Sequence, residues 1–157
     1  MTSTTILNEG LYAAFHLTPE SAQRLYEFAE QHLPNIPLQL ADSYHITTVY
    51  SRNDIPDYIP ATTQVGTAVV PIGYEYFGRD GEDSVIVMRV EHPQLHQSHN
   101  SAMEKGGSHD FPNYLPHITL SKKIPGKPLD LKAIPLPTWN IELGDEYTET
   151  LREFLES

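Results

Sequence analysis

One short pattern occurs twice in this sequence and constrains its fold more than any other feature. Tyr44-His45-Ile46-Thr47 and Pro116-His117-Ile118-Thr119 each lie in a run rich in β-branched and aromatic residues, which is typical of a β-strand. Side chains two positions apart in a strand share a face, so each pattern places an imidazole beside a hydroxyl, with about 7 Å between the Cα atoms. Two such strands facing each other would form a symmetrical cleft lined by two histidines and two threonines.

A third His-x-Thr sequence, His16-Leu17-Thr18, is expected to serve a different purpose. Thr18 stands directly before Pro19 at the start of a helical pattern, so Thr18 is predicted to be a helix N-cap and Pro19 the first helical residue. The two other copies are the ones that lie wholly within predicted strands.

The periodicity of apolar residues predicts a single α+β domain over residues 1–157, with no linker that divides it. Strands are predicted at 11–17, 44–50, 65–76, 84–90, 115–121 and 138–143, with a hairpin turn at 78–81. Helices are predicted from residue 19 to the prolines at 34 and 37, from 93 to about 105, and over the acidic segment Glu146 to Glu156. In the second strand, alternation groups Val49 with His45 and Thr47, and Tyr50 with Tyr44, Ile46 and Thr48 on the opposite face.

Composition excludes several classes of protein and of site. Ten Lys and Arg residues stand against 21 Asp and Glu residues, and a net charge of −11 disfavours long nucleic acids as partners. The absence of cysteine excludes disulfides, thiolate zinc sites and cysteine nucleophiles. No long apolar run or signal-like segment occurs, which predicts a cytoplasmic protein without a membrane partner. Arg52, Lys122 and Lys123 follow the two patterns and are candidates to offset the charge of a small anionic substrate.

The paired patterns, with Tyr-Leu-Pro-His-Ile-Thr-Leu-Ser at 114–121, resemble the two-histidine (2H) phosphoesterase superfamily. With the opening Leu-Tyr-Ala-Ala-Phe-His-Leu at 11–17, the chain is similar to the small phage anti-CBASS phosphodiesterases; CBASS is a bacterial defence signalled by cyclic oligonucleotides. The resemblance implies two pseudo-symmetric antiparallel β-lobes with flanking helices around a V-shaped cleft. It also implies a metal-independent and cofactor-free phosphodiesterase that cleaves cyclic di- and trinucleotides, such as 3′3′-cGAMP and cyclic tri-AMP, in the host cytoplasm.

The chemistry of such a cleavage suits the four residues of the two patterns. A neutral imidazole can remove a proton from a ribose 2′-OH, and an imidazolium can protonate the departing 5′-oxygen; both forms are accessible to His45 and His117, since the reference pKa of histidine is about 6.5. Thr47 and Thr119 are expected to donate hydrogen bonds to the non-bridging phosphate oxygens. Which histidine is the base stays open at this stage.

Recognition of the bases calls for aromatic faces and hydrogen-bond acceptors. Tyr12, on the polar face of the first strand, is the candidate stacking platform. Glu142 is preferred over Glu146 as the acceptor for an adenine amine, because a strand fixes its direction. The aromatic contact that the family makes near its C-terminus has no clear match in this sequence, and Trp139 and Tyr147 are the candidates for it.

Four other hypotheses remain open. His92, His96 and His99 recur at helical spacing and could ligate a metal with Glu91 or Glu104. The chain could act on RNA ends or on 2′,3′-cyclic phosphates, or it could sequester cyclic nucleotides without cleaving them. The glycine-containing loop 105–114 is a candidate lid over the cleft. No obligatory protein partner is implied.

Overall fold

The computed structural model describes residues 4–79, 82–110 and 113–156, and within these ranges it contains six strands and two α-helices. The strands are β1 (Thr4–Leu17), β2 (His45–Ser51), β3 (Ala68–Phe77), β4 (Val85–Glu91), β5 (His117–Thr119) and β6 (Ile141–Glu156). The helices are α1 (Pro19–His32) and α2 (Pro93–Glu104). No helix in the described ranges is long and apolar enough to cross a membrane.

The strands form one antiparallel sheet in the order β2-β1-β6-β3-β4-β5. The halves β2-β1-β6 and β3-β4-β5 are joined where β3 pairs with β6, through Ala68 with Glu142 and Val69 with Ile141. The edge strands β2 and β5 lie at opposite ends of this order and yet contact each other. The sheet is therefore folded so that the two His-Ile-Thr strands meet. The α+β prediction is confirmed.

The core explains why the histidines and threonines are turned to one side of their strands. Ile46 of β2 and Ile118 of β5 are fully buried in one cluster with Phe15, Met88 and Leu25 of α1. Because strand side chains alternate, burying the central isoleucine of each pattern turns its two polar neighbours to the opposite face. All four of those neighbours are partly exposed.

The start of α1 follows the sequence prediction. Thr18 is the N-cap, and its Oγ1 accepts a hydrogen bond of 3.4 Å from the N–H of Ser21, while Pro19 is the first helical residue. The helix ends at His32, just before the predicted proline stop. Thr18 is thus used as a cap, which separates the third His-x-Thr copy from the other two.

The predicted C-terminal helix is wrong. Strand β6 continues to Glu156 and pairs with β1 along its length, for example Tyr147 with Ala14 and Leu151 with Gly10. β1 itself begins at Thr4, well before its predicted start. The long ladder outweighs the modest helical propensity of the glutamates in this segment, because such propensities amount to only tenths of a kcal/mol per residue.

The predicted alternation in β2 fails after Thr47. Ala14 pairs with Thr47 and Ala13 with Val49, so Thr48 is the extra residue of a β-bulge. Val49 therefore packs in the interior, and Tyr50 faces Tyr12, the reverse of the predicted assignment. The predicted pairing of β3 with β4 is confirmed, although residues 80 and 81 of the turn lie outside the described residues.

Candidate active site

Each of the two histidines is held by the same local hydrogen bond. The Nδ1–H of His45 donates to the carbonyl of Ser43 at 2.8 Å, and the Nδ1–H of His117 donates to the carbonyl of Leu115 at 2.8 Å. A carbonyl oxygen can only accept, so Nδ1 carries the proton in both rings. The acceptor is two residues before the histidine in both cases. Each neutral imidazole therefore has its lone pair on Nε2, the atom available for proton transfer.

Tyr12 of β1 completes the first pattern. Its hydroxyl is 2.8 Å from Oγ1 of Thr47, and its ring lies edge-on to that of His45, with 6.4 Å between centroids. Burial raises the pKa of Tyr12 to about 12, so the phenol keeps its proton at neutral pH. When Tyr12 donates to Thr47, the threonine hydroxyl proton remains available to another acceptor.

An aromatic row extends from Tyr12 along this face of the sheet. The ring of Tyr12 lies 6.2 Å from that of Tyr50 and 6.4 Å from that of Tyr147. Tyr147 in turn stacks on His16, with centroids 4.2 Å apart and planes at 22°. Of the two C-terminal aromatic candidates, Tyr147 is the one in this row. Sequence reasoning missed Tyr50, because the bulge that redirects it has no signal in the sequence. It also missed His16, because the cap at Thr18 accounts for the third His-x-Thr copy.

The second pattern is surrounded by different side chains from those around the first. The ring of Phe77 lies edge-on to His117 at 4.7 Å, and Arg89 is the cross-strand neighbour of His117 on β4. Arg89 also forms an ion pair of 3.1 Å with Glu75. The sequence gives no indication of either contact, since Phe77 and Arg89 come close to His117 only when β3, β4 and β5 pair.

The electrostatic environment of His117 favours its neutral form. Burial lowers the pKa of His117, and the positive charges of Arg89 and His45 lower it further. The Leu115 carbonyl and Glu75 oppose this shift without reversing it. The contribution of His45 also means that the two imidazoles are near enough to influence each other's protonation.

The position of Glu146 does not support the predicted contact with an adenine base. The residue is 3% exposed, because it points into the interior beneath β2. Four protein donors occupy its two carboxylate oxygens, which leaves none for a ligand. These donors are Thr48 Oγ1 (2.6 Å), the Ala61 N–H (2.8 Å), Ser98 Oγ (3.1 Å) and the Tyr58 hydroxyl.

Glu142 and Trp139 both contact α1, the first through its backbone and the second through its ring. The backbone N–H of Glu142 donates to Ser21 Oγ at 2.9 Å, where β6 meets the start of α1. The Trp139 ring lies 4.6 Å from the guanidinium carbon of Arg24 and 6.5 Å from the ring of Phe28. The Trp139 ring therefore lies beside α1 rather than in the row around Tyr12, so its position does not support the predicted role in base binding. The Glu142 contact is made by the backbone, and its side chain is turned away from the buried Ile141 and Leu143 on either side of it, so the predicted role of Glu142 stays a prediction.

The three histidines weighed as metal ligands have separate partners. His92 caps α2 and lies 3.0 Å from Thr67 Oγ1, and His96 lies 2.6 Å from Glu91. The Nδ1–H of His99 donates to the carbonyl of Thr48 at 2.8 Å. Among the residues that the structure describes, no group of three or more His, Asp or Glu side chains could hold a metal ion.

The loop predicted as a lid is joined to the end of β2 by an ion pair and a hydrogen bond. Arg52 makes a two-pronged ion pair with Asp110, at 2.9 to 3.2 Å, and its N–H donates to Ser108 Oγ. The guanidinium holds the pKa of Asp110 below its usual range. Residues 111 and 112 of the loop lie outside the described residues. Lys122 and Lys123 are exposed.

The solved structures most useful for comparison have the same fold. LigT of E. coli complexed with 3′-AMP matches with a TM-score of 0.57 and 17% identity, covering 95% of this chain and 96% of that chain. LigT complexed with ATP gives a TM-score of 0.56 over the same shares. This fold, with one His-x-Thr pattern on each of two meeting strands, is that of a 2H phosphoesterase.

Sequence comparison defines the family more closely. Residues 9–156 match the family model described as anti-CBASS protein Acb1. A relative of that name from Vibrio phage KVP40 is 30% identical over 92% of this chain and 89% of its own length. Another, from Acinetobacter phage Ac42, is 31% identical over 92% of this chain and 93% of its own. The chain belongs to the anti-CBASS Acb1 family.

Proposed function

We propose that this protein is a phosphodiesterase that cleaves 3′-5′ bonds of cyclic di- and trinucleotide messengers in the cytoplasm of an infected bacterium and so counters CBASS. The observation that carries the proposal is the pair of imidazoles on two meeting edge strands, each tied at Nδ1 to a carbonyl two residues earlier. Membership of the anti-CBASS Acb1 family supports the choice of a cyclic messenger as substrate.

The reaction needs one proton removed and one supplied. The base takes the proton of a ribose 2′-OH, and the oxygen attacks the adjacent phosphorus. The bond from phosphorus to the 5′-oxygen breaks, and the acid protonates that oxygen. The ring opens to a linear oligonucleotide that ends in a 2′,3′-cyclic phosphate. Each well-placed proton transfer contributes roughly 10²–10⁴ in rate.

His117 suits the role of base and His45 that of acid. A general base must be neutral before it acts, and burial together with the charges of Arg89 and His45 lowers the pKa of His117. His45 is then the residue assigned to supply the proton to the departing 5′-oxygen. The two titrations are coupled, so a pH–rate profile reports the pair.

Thr47 and Thr119 are suited to hold the phosphate. Each lies two residues after its histidine, on the same face of its strand. Tyr12 donating to Thr47 would aim the threonine proton at a non-bridging oxygen, where charge builds in the transition state. Loss of one such preorganised donor typically costs about 3 kcal/mol.

Aromatic side chains flank both halves of the site and suit a ligand with two or three bases. Tyr12 and Tyr147 lie beside the first pattern, and Phe77 lies beside the second. Stacking of a base on an aromatic ring contributes roughly 1–3 kcal/mol. The net charge of −11 favours a compact ligand over a long RNA.

A product assay tests the proposal. The purified protein is incubated in EDTA with cyclic di- and trinucleotides and with short RNAs ending in a 2′,3′-cyclic phosphate, and mass spectrometry identifies the products. We expect linear products from the cyclic ligands and their loss in His45→Ala and His117→Ala. Turnover of the RNA ends alone would favour the RNA-end alternative. Tight binding with intact ligand would indicate sequestration, and activity that needs zinc would contradict the mechanism.

A further inference from the structure

The β-bulge at Thr48 disturbs the hydrogen-bond ladder at the strand that carries the first pattern. Thr48 has no partner residue on β1, whereas Thr47 and Val49 pair with Ala14 and Ala13. A bulge leaves local backbone groups unpaired, and a buried carbonyl without a partner is costly, so such groups are usually satisfied by other donors. The carbonyls of Thr47 and Thr48 at the bulge therefore need donors from outside the ladder.

Two side chains supply them. The hydroxyl of Tyr114 donates to the carbonyl of Thr47 at 2.6 Å, and the Nδ1–H of His99 donates to that of Thr48 at 2.8 Å. The rings of Tyr114 and His99 are stacked, with centroids 4.4 Å apart and planes at 8°. Each ring thus limits the movement of the other. The two carbonyls are held by one stacked pair.

Tyr114 belongs to the segment that carries the second histidine. It precedes His117 by three residues, and the carbonyl of Leu115 between them accepts the Nδ1–H of His117. Pro116 in the same segment has a fixed φ, which stiffens the connection. The hydroxyl of Tyr114 therefore links the backbone that orients His117 to the backbone of Thr47.

This link joins strands that lie at opposite ends of the sheet. β2 and β5 are the two edges of the described sheet, and the ladders between named strands run from one to the other only through β1, β6, β3 and β4. Outside these strands, a bridge between Leu38 and Ser121 also joins the segment before β2 to the segment after β5. A small change in the twist of the sheet between β2 and β5 would alter the distance between these two edge strands. A direct hydrogen bond across the gap resists such a change, and a misplacement of about 1 Å can cost about 100-fold in rate.

We infer that Tyr114 is a positioning residue that sets the separation between the two His-x-Thr patterns through its hydrogen bond to the Thr47 carbonyl. The inference rests on the proposed function, since it assigns a role in the reaction to a residue that touches neither the phosphate nor the reacting oxygens. Burial raises the pKa of the Tyr114 phenol well above its ordinary value, so the donor proton is present at every pH at which the histidines titrate.

The test is Tyr114→Phe, which removes the hydrogen bond and retains the ring that stacks on His99. The matched control is Tyr74→Phe, because Tyr74 also donates its hydroxyl to a backbone carbonyl, that of Pro135 at 2.8 Å, in a part of the molecule outside the site. We expect kcat to fall about tenfold or more in Tyr114→Phe with KM changed less than about threefold. Tyr74→Phe is expected to keep kcat within about twofold while losing a similar amount of Tm.

Histidine titration by NMR in the ligand-free protein provides a second readout. A larger separation weakens the repulsion from His45, so we expect the pKa of His117 to rise in Tyr114→Phe and to stay unchanged in Tyr74→Phe. An unchanged kcat and an unchanged His117 pKa in a folded Tyr114→Phe would overturn the inference. If the unmodified protein cleaves no cyclic nucleotide, the proposed function fails, whereas the titration still decides whether Tyr114 sets the separation.

Discussion

The two halves of the sheet carry the same pattern with different surroundings. In both, a buried isoleucine separates histidine from threonine, and the histidine donates Nδ1–H to the carbonyl two residues earlier. In the first half, tyrosine rings and a polar interior surround the pattern. In the second, His117 lies against Phe77 and beside Arg89. Nearly equal backbones thus hold two imidazoles in different environments, and in the second half burial together with the charge of Arg89 lowers the pKa of His117.

The two halves also differ in the acidic side chain that lies near each His-x-Thr pattern. β2 rests on Glu146, a buried carboxylate that accepts from side chains of β2, α2 and the loop after β2. The acidic neighbour in the second half, Glu75, is exposed and pairs with Arg89. A buried acceptor that satisfies several donors stabilises the fold, whereas an exposed ion pair mainly adjusts the local potential.

The roles of the two histidines are tested by replacing each of them and by changing the leaving group of the substrate. His45→Ala and His117→Ala are each expected to lower kcat by roughly 10²–10⁴. A substrate with sulfur in place of the bridging 5′-oxygen has a leaving group that needs no proton, so it should restore His45→Ala and leave His117→Ala slow. Rescue of His117→Ala instead, measured in single-turnover reactions, would reverse the assignment of acid and base.

Removal of the buried carboxylate should destabilise the first half. Glu146→Ala leaves the Tyr58 and Ser98 hydroxyls and the Ala61 N–H without their acceptor, and each orphaned buried group costs roughly 1–3 kcal/mol. The Thr48 hydroxyl keeps the Ala13 carbonyl as an acceptor at 3.1 Å. We expect the free energy of unfolding to fall by about 3–5 kcal/mol in urea titrations. Glu75→Ala, which breaks an exposed ion pair, should cost less than about 1 kcal/mol. Equal losses in the two variants would contradict the difference in support.

Removing the hydroxyl of each threonine tests whether the two patterns bind the phosphate equally. Thr47→Val and Thr119→Val keep the shape of the side chain and remove the donor, and each is expected to reduce kcat by about 100-fold, corresponding to about 3 kcal/mol. Tyr12→Phe should reproduce part of the Thr47→Val effect, because Tyr12 bonds Thr47. If Thr119→Val alone lowers kcat, the phosphate is held from one side.

The smallest expected effect concerns the charge beside His117. Arg89→Met removes a positive charge that lowers the pKa of His117, so that pKa should rise, by up to about one unit. A base with a raised pKa becomes neutral at higher pH, so the acid limb of the kcat/KM profile should move to higher pH. An acid limb that does not move would mean that His117 is not the group titrating there.

Sequence patterns identified the parts of this fold that depend on neighbouring residues. Alternation around Ile46 and Ile118 predicted both histidine strands, and Thr18 before Pro19 predicted the start of α1. The same reasoning failed where contacts between distant parts of the chain decide the secondary structure or the burial of a residue. The acidic C-terminal segment is a strand because β1 pairs with it, and Glu146 is buried because α2 and the loop after β2 cover it.

By itself, the sequence determined which residue types share a strand face and hence which imidazoles and hydroxyls stand together, because side-chain alternation is a local property of the backbone. Only the tertiary structure decided that the edges β2 and β5 meet, that a bulge at Thr48 turns Tyr50 toward Tyr12, and that Tyr114 reaches the Thr47 carbonyl. These features depend on contacts between residues far apart in the chain, and such contacts form only when the whole sheet closes.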